Sequence, residues 1–141
     1  MTYKEKVAWL QRYLKAREKA NFLGGGCVQE MEAEAQGMRT RLDGMPGAGR
    51  DTARLARSVE KVEKTRKMWN DQLDRCGELR IELVAELAKI QHPLAQEVLH
   101  RRYMNGESYA EICDALALVE RRVYQLHRLG VNKVCEPENG G

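Results

Sequence analysis

The chain has 141 residues and a formal net charge of +3; 32% of its residues are charged and 6% are aromatic. Long stretches rich in Ala, Glu, Leu, Lys, Arg and Gln favour helices, and no apolar run reaches the roughly 20 residues that span a bilayer. The start, MTYKEKVAWL, lacks the apolar core and small-residue cleavage site of a signal peptide. We therefore expect a cytoplasmic, all-α protein that does not bind membranes.

Two helices are expected in the front part of the chain. Apolar residues at alternating spacings of three and four are typical of helices that pack along a seam. These residues are Tyr3, Val7, Leu10 and Leu14 in the first stretch, and Val28, Met31, Ala35, Met38 and Leu42 in the second. The pattern predicts helices at about residues 2–22 and 27–42, the first of them ended by Gly24-Gly25-Gly26.

A third and much longer helix is expected at about residues 52–90. Asp51 or Thr52 can cap its start, and it should end at His92-Pro93, because the residue before a proline is disfavoured in helical geometry. Such a helix cannot cover its own apolar stripe, so it should pack as a helical hairpin or coiled coil, on a second copy, or on both. We predict a homodimer through this stripe. The stripe consists of Leu55, Val59, Val62, Trp69, Leu73, Cys76, Leu83, Leu87 and Ile90, with Arg66 and Arg80 in two further slots.

No catalytic, cofactor or metal site is expected. Gly44 and Gly49 have the spacing of a phosphate-binding loop, but Arg50 and Asp51 stand where Lys and Ser or Thr are required, and no strand precedes them. The four cysteines form no Cys-x-x-Cys pair and have no histidine at metal-ligand spacing, so we expect reduced thiols. No nucleophile or carboxylate pair emerges either, and an enzyme is not expected. The cysteines are Cys27, Cys76, Cys113 and Cys135.

The stretch from Pro93 to Val134 has the pattern of a helix-turn-helix unit. A short helix ends at Asn105-Gly106, and Ser108 with Glu111 forms the capping box of a second helix. A tight turn at Ala117-Leu118-Val119 leads to a third helix that begins at Glu120. The expected buried residues are Leu94, Val98 and Leu99 in the first helix, Ile112, Cys113 and Leu116 in the second, and Val123, Leu126 and Leu129 in the third.

These residues resemble the fourth region of sigma-70-type transcription factors. The matching pieces are Arg102-Tyr103, Gly106, Ser108-Tyr109-Ala110-Glu111-Ile112, Leu116, and Val123-Tyr124-Gln125-Leu126-His127-Arg128. The whole chain resembles small phage or prophage regulators of late genes. The resemblance implies a DNA-binding transcription regulator with host RNA polymerase as a possible partner.

The chain also departs from the sigma pattern. Ala117 stands where that family usually has glycine, and Val119 stands where it usually has the serine or threonine that opens the recognition helix. Val119 removes a capping oxygen worth about 1 kcal/mol. No segment resembles the aromatic-rich sigma region that melts DNA, so a complete sigma factor is not expected.

Nine residues are the candidate contacts to double-stranded DNA. Arg121, Arg122 and Gln125 should read base edges, since residues early in a recognition helix reach the major groove. Arg101, Arg102 and Arg128 should contact phosphates, and Tyr124 should contact a phosphate or a thymine methyl group. Ser108 and Tyr109 should touch the DNA backbone. His127 is interpreted as a packing residue rather than as a ligand or a base.

The sequence thus divides into a helical oligomerisation or partner-binding region (1–92), a DNA-binding unit (93–135) and a disordered tail (136–141). The last 51 residues carry six basic and seven acidic side chains, so one copy should bind DNA weakly. Sequence-specific regulation is the first hypothesis. A DNA-packaging accessory resembling small terminase subunits, or a protein-interaction module without DNA binding, are the alternatives.

Overall fold

The computed structural model describes residues 1–42 and 49–136, and within them the chain forms helices and no strand, which confirms the all-α prediction. None of the described helices is long and apolar enough to cross a membrane. The glycine-rich segment 43–48 and most of the predicted disordered tail, 137–141, lie outside the described residues. The helices are α1 (Tyr3–Leu10), α2 (Arg12–Asn21), α3 (Gln29–Leu42), α4 (Gly49–Ala88), α5 (Pro93–Tyr103), α6 (Tyr109–Leu116) and α7 (Glu120–Lys133), with a π-helical segment (Phe22–Val28) between α2 and α3.

The described chain forms two compact units whose limits differ from the predicted domains. One unit contains Met1–Lys15 together with the described part of Gly77–Gly141, and the other contains Ala16–Cys76. Helix α1 therefore belongs to the same unit as α5, α6 and α7. Sequence reasoning had assigned α1 to a separate front region.

The predicted helix stop at Gly24-Gly25-Gly26 is wrong. These glycines lie inside the π-helical segment that carries the chain from α2 into α3. Gly24 is buried, and a Cβ atom there would stand 2.5 Å from Cε2 of the Trp69 indole. The missing side chain thus lets the helical backbone pack directly on the ring, which favours continued helix over termination.

Two neighbouring glycines of this segment should respond in opposite ways to substitution by alanine. Gly24→Ala is expected to destabilise the protein by roughly 1–3 kcal/mol, because the new methyl group overlaps the Trp69 ring. Gly25→Ala places its methyl group in open space and should stabilise the helix by up to about 1 kcal/mol. Urea unfolding of both variants measures the difference. Equal changes in the two variants would contradict the packing of Gly24 on Trp69.

The apolar stripe predicted on the long helix is correct only in part. Leu73 is 44% exposed, whereas Leu79, which the stripe omitted, is 5% exposed. Arg66 and Arg80 occupy exposed positions rather than seam slots, and Arg66 forms an ion pair with Glu32 on α3. Helix α4 also begins at Gly49, so Asp51 and Thr52 lie within the helix rather than at its cap.

The unit that contains α5, α6 and α7 has its own apolar core. Pro93 does not end the long helix, which stops at Ala88; it opens α5, where His92 is the N-cap and its Nδ1 accepts a hydrogen bond from the Ala95 backbone. Proline suits a first helical turn because its missing N–H has no intrahelical partner there. The fully buried large side chains are Leu10, Val98, Leu99, Ile112, Val123, Leu126, Val131 and Val134.

Some residues expected in this core lie elsewhere. Leu129, predicted to be buried, is 41% exposed, and Leu94 is 40% exposed. Cys113 and Leu116 are half-buried. Gly130 and Val131 take the buried positions of the last turns of α7, so the buried face of that helix turns away from Leu129.

Candidate nucleic-acid interface

Local residues determine the geometry of the loop before α6 and of the three-residue turn that joins α6 to α7. Gly106 adopts a left-handed conformation with φ of 73°, and the Ser108 hydroxyl accepts a hydrogen bond from the Glu111 backbone at 3.2 Å. Ala117 is also left-handed, with φ of 55°, and its N–H donates to the Cys113 carbonyl. Alanine therefore adopts here the conformation that glycine adopts most easily. Val119 is the N-cap of α7 and supplies no side-chain hydrogen bond, as predicted.

One side of α7 carries exposed polar side chains. Arg121, Gln125 and Arg128 are all exposed and follow one another at spacings of four and three, which places them on the same face of the helix. Arg122 is exposed on the neighbouring side. Within residues 1–42 and 49–136, neither Arg121 nor Arg122 forms an ion pair, so both guanidinium groups are available to a ligand.

An open groove of about 740 Å³ runs beside this face of α7. It combines aromatic rings from three helices with two arginines and one carboxylate. Tyr124 lies in it with its hydroxyl donating to the Glu120 carboxylate at 3.0 Å. Arg122 does not line it. The lining residues are Tyr3, Tyr109, Glu120, Arg121, Tyr124, Gln125, His127 and Arg128.

His127 connects the helices that form the groove. The side chain is 5% exposed; its Nε2 lies 2.6 Å from the Tyr103 hydroxyl on α5, and its Nδ1 lies 3.1 Å from the Tyr3 hydroxyl on α1. The Tyr109 ring of α6 packs edge-on against it at 5.7 Å. Burial, assisted by the nearby Arg102 guanidinium, lowers the pKa of His127 to about 4. The neutral imidazole therefore acts as a packing residue, as the sequence suggested, and holds α1, α5 and α6 against α7.

The stability of the protein should depend on pH through His127. Unfolded histidine takes up a proton below about pH 6.5, whereas the folded imidazole stays neutral until about pH 4. Protonation thus favours the unfolded chain, and this contribution to stability is lost as the pH falls from 6.5 to 4, by about 3 kcal/mol at the lower end. Urea unfolding across this range should show a smaller loss for His127→Gln than for the wild type.

The control for this experiment is His100→Gln, which leaves His127 and both of its tyrosine partners in place. Carboxylates also titrate in this range, so the difference between wild type and variant is the quantity to compare. Parallel stability curves for the wild type and His127→Gln would contradict the role assigned to the buried imidazole.

The predicted phosphate contacts on α5 are engaged within the protein. Arg101 bonds Glu97 at 2.8 Å and Glu107 at 3.3 Å. Arg102 donates to the Glu107 carbonyl at 3.0 Å, and its guanidinium lies 4.5 Å from the centre of the Tyr109 ring. Both arginines thus brace the loop before α6. Arg102 also lies against Tyr109, which lines the groove, so its guanidinium stands next to the candidate interface.

The described part of the chain contains no group of three or more His, Cys, Asp or Glu side chains that could hold a metal ion. The cysteines are free thiols, and burial raises the pKa of Cys76 and Cys135.

The structure brings together some of the predicted site residues and adds two that the sequence did not suggest. Arg121, Tyr124, Gln125, Arg128 and Tyr109 line one groove, whereas Arg101, Arg102, Arg122 and Ser108 lie outside its lining. Tyr3 and Glu120 are the additions. Glu120 follows the turn directly and could have been found from its place in the first turn of α7. Tyr3 is 124 residues from His127, and no local pattern indicates that the two meet. No protein-family model matches the chain, and no curated protein or solved structure shows significant similarity to it.

Proposed function

We propose that this protein binds double-stranded DNA sequence-specifically, with α7 in the major groove, and regulates transcription. One observation carries the proposal: Arg121, Gln125 and Arg128 share an exposed face of α7 beside an open groove, and Arg121 and Arg122 form no ion pair within the described residues. Unpaired guanidinium groups on the face of a short helix, packed on a second helix through a tight turn, fit the geometry of a recognition helix.

The side chains on this face suit the chemistry of base edges. Arginine pairs bidentately with guanine O6 and N7, and glutamine pairs with adenine N6 and N7. Arg121, Arg122 and Gln125 occupy the first two turns of α7, where base contacts concentrate. Tyr124 offers an aromatic face to a thymine methyl group.

Phosphate contacts are assigned to the flanks of the recognition helix. Arg128 lines the groove, and the Arg102 guanidinium lies over the ring of Tyr109, which also lines it. Ser108 and Tyr109 lie at the start of α6, where helix-turn-helix proteins commonly meet the DNA backbone. Arg101 contributes less, because Glu97 and Glu107 already offset its charge.

The assignment to transcription rests on the resemblance of residues 99–131 to the fourth region of sigma-70-type factors. It suggests a phage or prophage activator of late genes that cooperates with RNA polymerase. A homodimer stays part of the proposal, because the unit from residue 91 onward is close to neutral and two copies would neutralise more phosphates. The surface predicted for the dimer needs correction, since Leu83, Leu87 and Ile90 are at most 4% exposed within one chain.

In vitro selection of bound duplexes from a random library tests the proposal. The purified full-length chain is expected to enrich one sequence motif and to bind it at least 10³-fold more tightly than random DNA, the lower end of the range for specific regulators. Light scattering on the same sample gives the oligomeric state. A ring of eight or more subunits would favour DNA packaging, and no enrichment of any motif would favour a protein-interaction module.

A further inference from the structure

Helix α1 packs against α7 and is fixed there by two side-chain contacts. Tyr3 contacts His127 at its start, Lys6 Nζ donates to the Asn132 carbonyl at 2.9 Å, and Leu10 at its end is fully buried. Thr2 and Glu5 form a complete capping box that fixes the first turn. The position of Tyr3 relative to the recognition helix is therefore determined by several independent contacts.

Tyr3 lies beside one arginine of the exposed face of α7. The Arg128 guanidinium stands 6.0 Å from the centre of the Tyr3 ring, and both side chains line the groove described above. Tyr3 is 40% exposed, so its ring forms part of the protein surface. An arginine over an aromatic face loses rotational freedom but keeps its outer N–H groups available to an anion.

The segment that contains α1 is also the basic part of its unit. Met1–Lys15 carries four Lys or Arg residues and one Glu, whereas the last 51 residues carry six basic and seven acidic side chains. Arg12 is paired with Glu82 and Lys6 with Glu136, so the exposed Lys4 and Lys15 carry the positive charge of this segment that a DNA strand can meet. Electrostatic affinity for DNA increases with the number of phosphates that are neutralised.

We propose that α1 is a third element of the DNA-binding surface, in which Tyr3 positions Arg128 for a phosphate of the strand that borders the α1–α7 groove. This inference rests on the proposed function. Tyr3 acts through Arg128 and is thus a positioning residue outside the helix-turn-helix pattern. Both parts of the Tyr3 side chain contribute, because the ring lies beside the Arg128 guanidinium and the hydroxyl, besides its contact with His127, is hydrogen-bonded to the Arg128 side chain.

The test compares Tyr3→Ala, Tyr3→Phe, Arg128→Ala and the double variant Tyr3→Ala/Arg128→Ala on the duplex selected by the wild type. Tyr3→Ala is expected to weaken binding about fivefold and to lower the slope of log affinity against log salt by about one, as Arg128→Ala does. Tyr3→Phe keeps the ring but loses the hydroxyl contact with Arg128, so its affinity should lie between those of the wild type and Tyr3→Ala. The double variant should bind no more weakly than Arg128→Ala alone, because both changes remove the same contact.

Replacing the phosphates of the duplex one at a time by neutral methylphosphonates shows which phosphate each variant contacts. If Tyr3 had only a structural role, its replacement would leave this pattern unchanged. One flanking position should weaken binding by the wild type most and by Tyr3→Phe less, and have no effect on Tyr3→Ala or Arg128→Ala. If Tyr3→Ala loses helicity, Tyr3→Leu, which keeps apolar packing on α7, replaces it. An unchanged salt slope and an unchanged methylphosphonate response in the alanine or leucine variant overturn the inference, whereas failure of the wild type to bind any duplex overturns the proposed function as well.

Discussion

Replacing Arg121, Arg122 and Gln125 together by alanine is expected to lower the affinity for the selected duplex about a hundredfold or more. Each bidentate contact between a side chain and a base contributes roughly 1–3 kcal/mol of discrimination, and the three changes remove all the contacts assigned to base reading. Affinity for random DNA should fall less, because it rests on phosphate contacts that this variant largely keeps. Fluorescence-anisotropy titrations against the selected and scrambled duplexes measure both affinities.

A matched control removes the same two positive charges elsewhere. Lys61 and Lys67 are exposed on α4, so Lys61→Ala/Lys67→Ala changes the net charge as the triple variant does without touching α7. This double variant should keep the ratio of specific to random affinity. All three replaced residues of the triple variant are exposed, so it should fold, which circular dichroism verifies. A folded triple variant that binds the selected duplex as well as the wild type would show that α7 does not read DNA.

The sequence predicted those parts of the fold that local patterns control. The capped start of α6, the tight turn after it and the start of α7 at Glu120 all depend on residues within one turn of each other. The errors arose where a residue distant in the sequence determines the local structure or burial. Gly24 continues a helix because Trp69 lies against it, and Leu79 rather than Leu73 is buried because the buried face rotates along α4. Such effects override propensity and strict heptad spacing.

The residues of the candidate site also fall into those that local patterns predict and those that depend on contacts distant in the sequence. Arg121, Tyr124, Gln125 and Arg128 were predicted from their positions on a single helix, and the groove joins them to Tyr109 of the adjacent α6. Tyr3 could not be predicted, because its contact with His127 closes a loop of 124 residues. The engagement of Arg101 by Glu97 and Glu107 was also missed, although the spacing of four between Glu97 and Arg101 is a local signal for an ion pair.

The second large effect is expected at Gly130, where the backbone of α7 packs against Leu99 and Ala95 of α5. A Cβ atom at this position would stand 2.8 Å from Cδ1 and 2.9 Å from Cγ of Leu99, and 3.4 Å from the Ala95 carbonyl oxygen. Leu99 is fully buried and Ala95 contributes backbone, so neither can move aside easily. Gly130→Val adds two further methyl groups at this point. We expect a loss of stability of about 3 kcal/mol or more, the upper range of overpacking effects.

Gly77→Val is the matched control for Gly130→Val, since a Cβ atom at Gly77 of α4 meets nothing within 4 Å. Valine and glycine differ by only a few tenths of a kcal/mol in helix propensity, so this variant should unfold close to the wild-type midpoint. The clash itself is tested by combining Gly130→Ala with Leu99→Ala. Leu99→Ala alone should destabilise by roughly 2–5 kcal/mol through the cavity it creates, and by less in the Gly130→Ala background, where the new methyl group fills part of that space. Additive losses in the double variant would mean that Leu99 and Gly130 do not pack against each other, and that the close approach of α5 and α7 does not hold α7 in place.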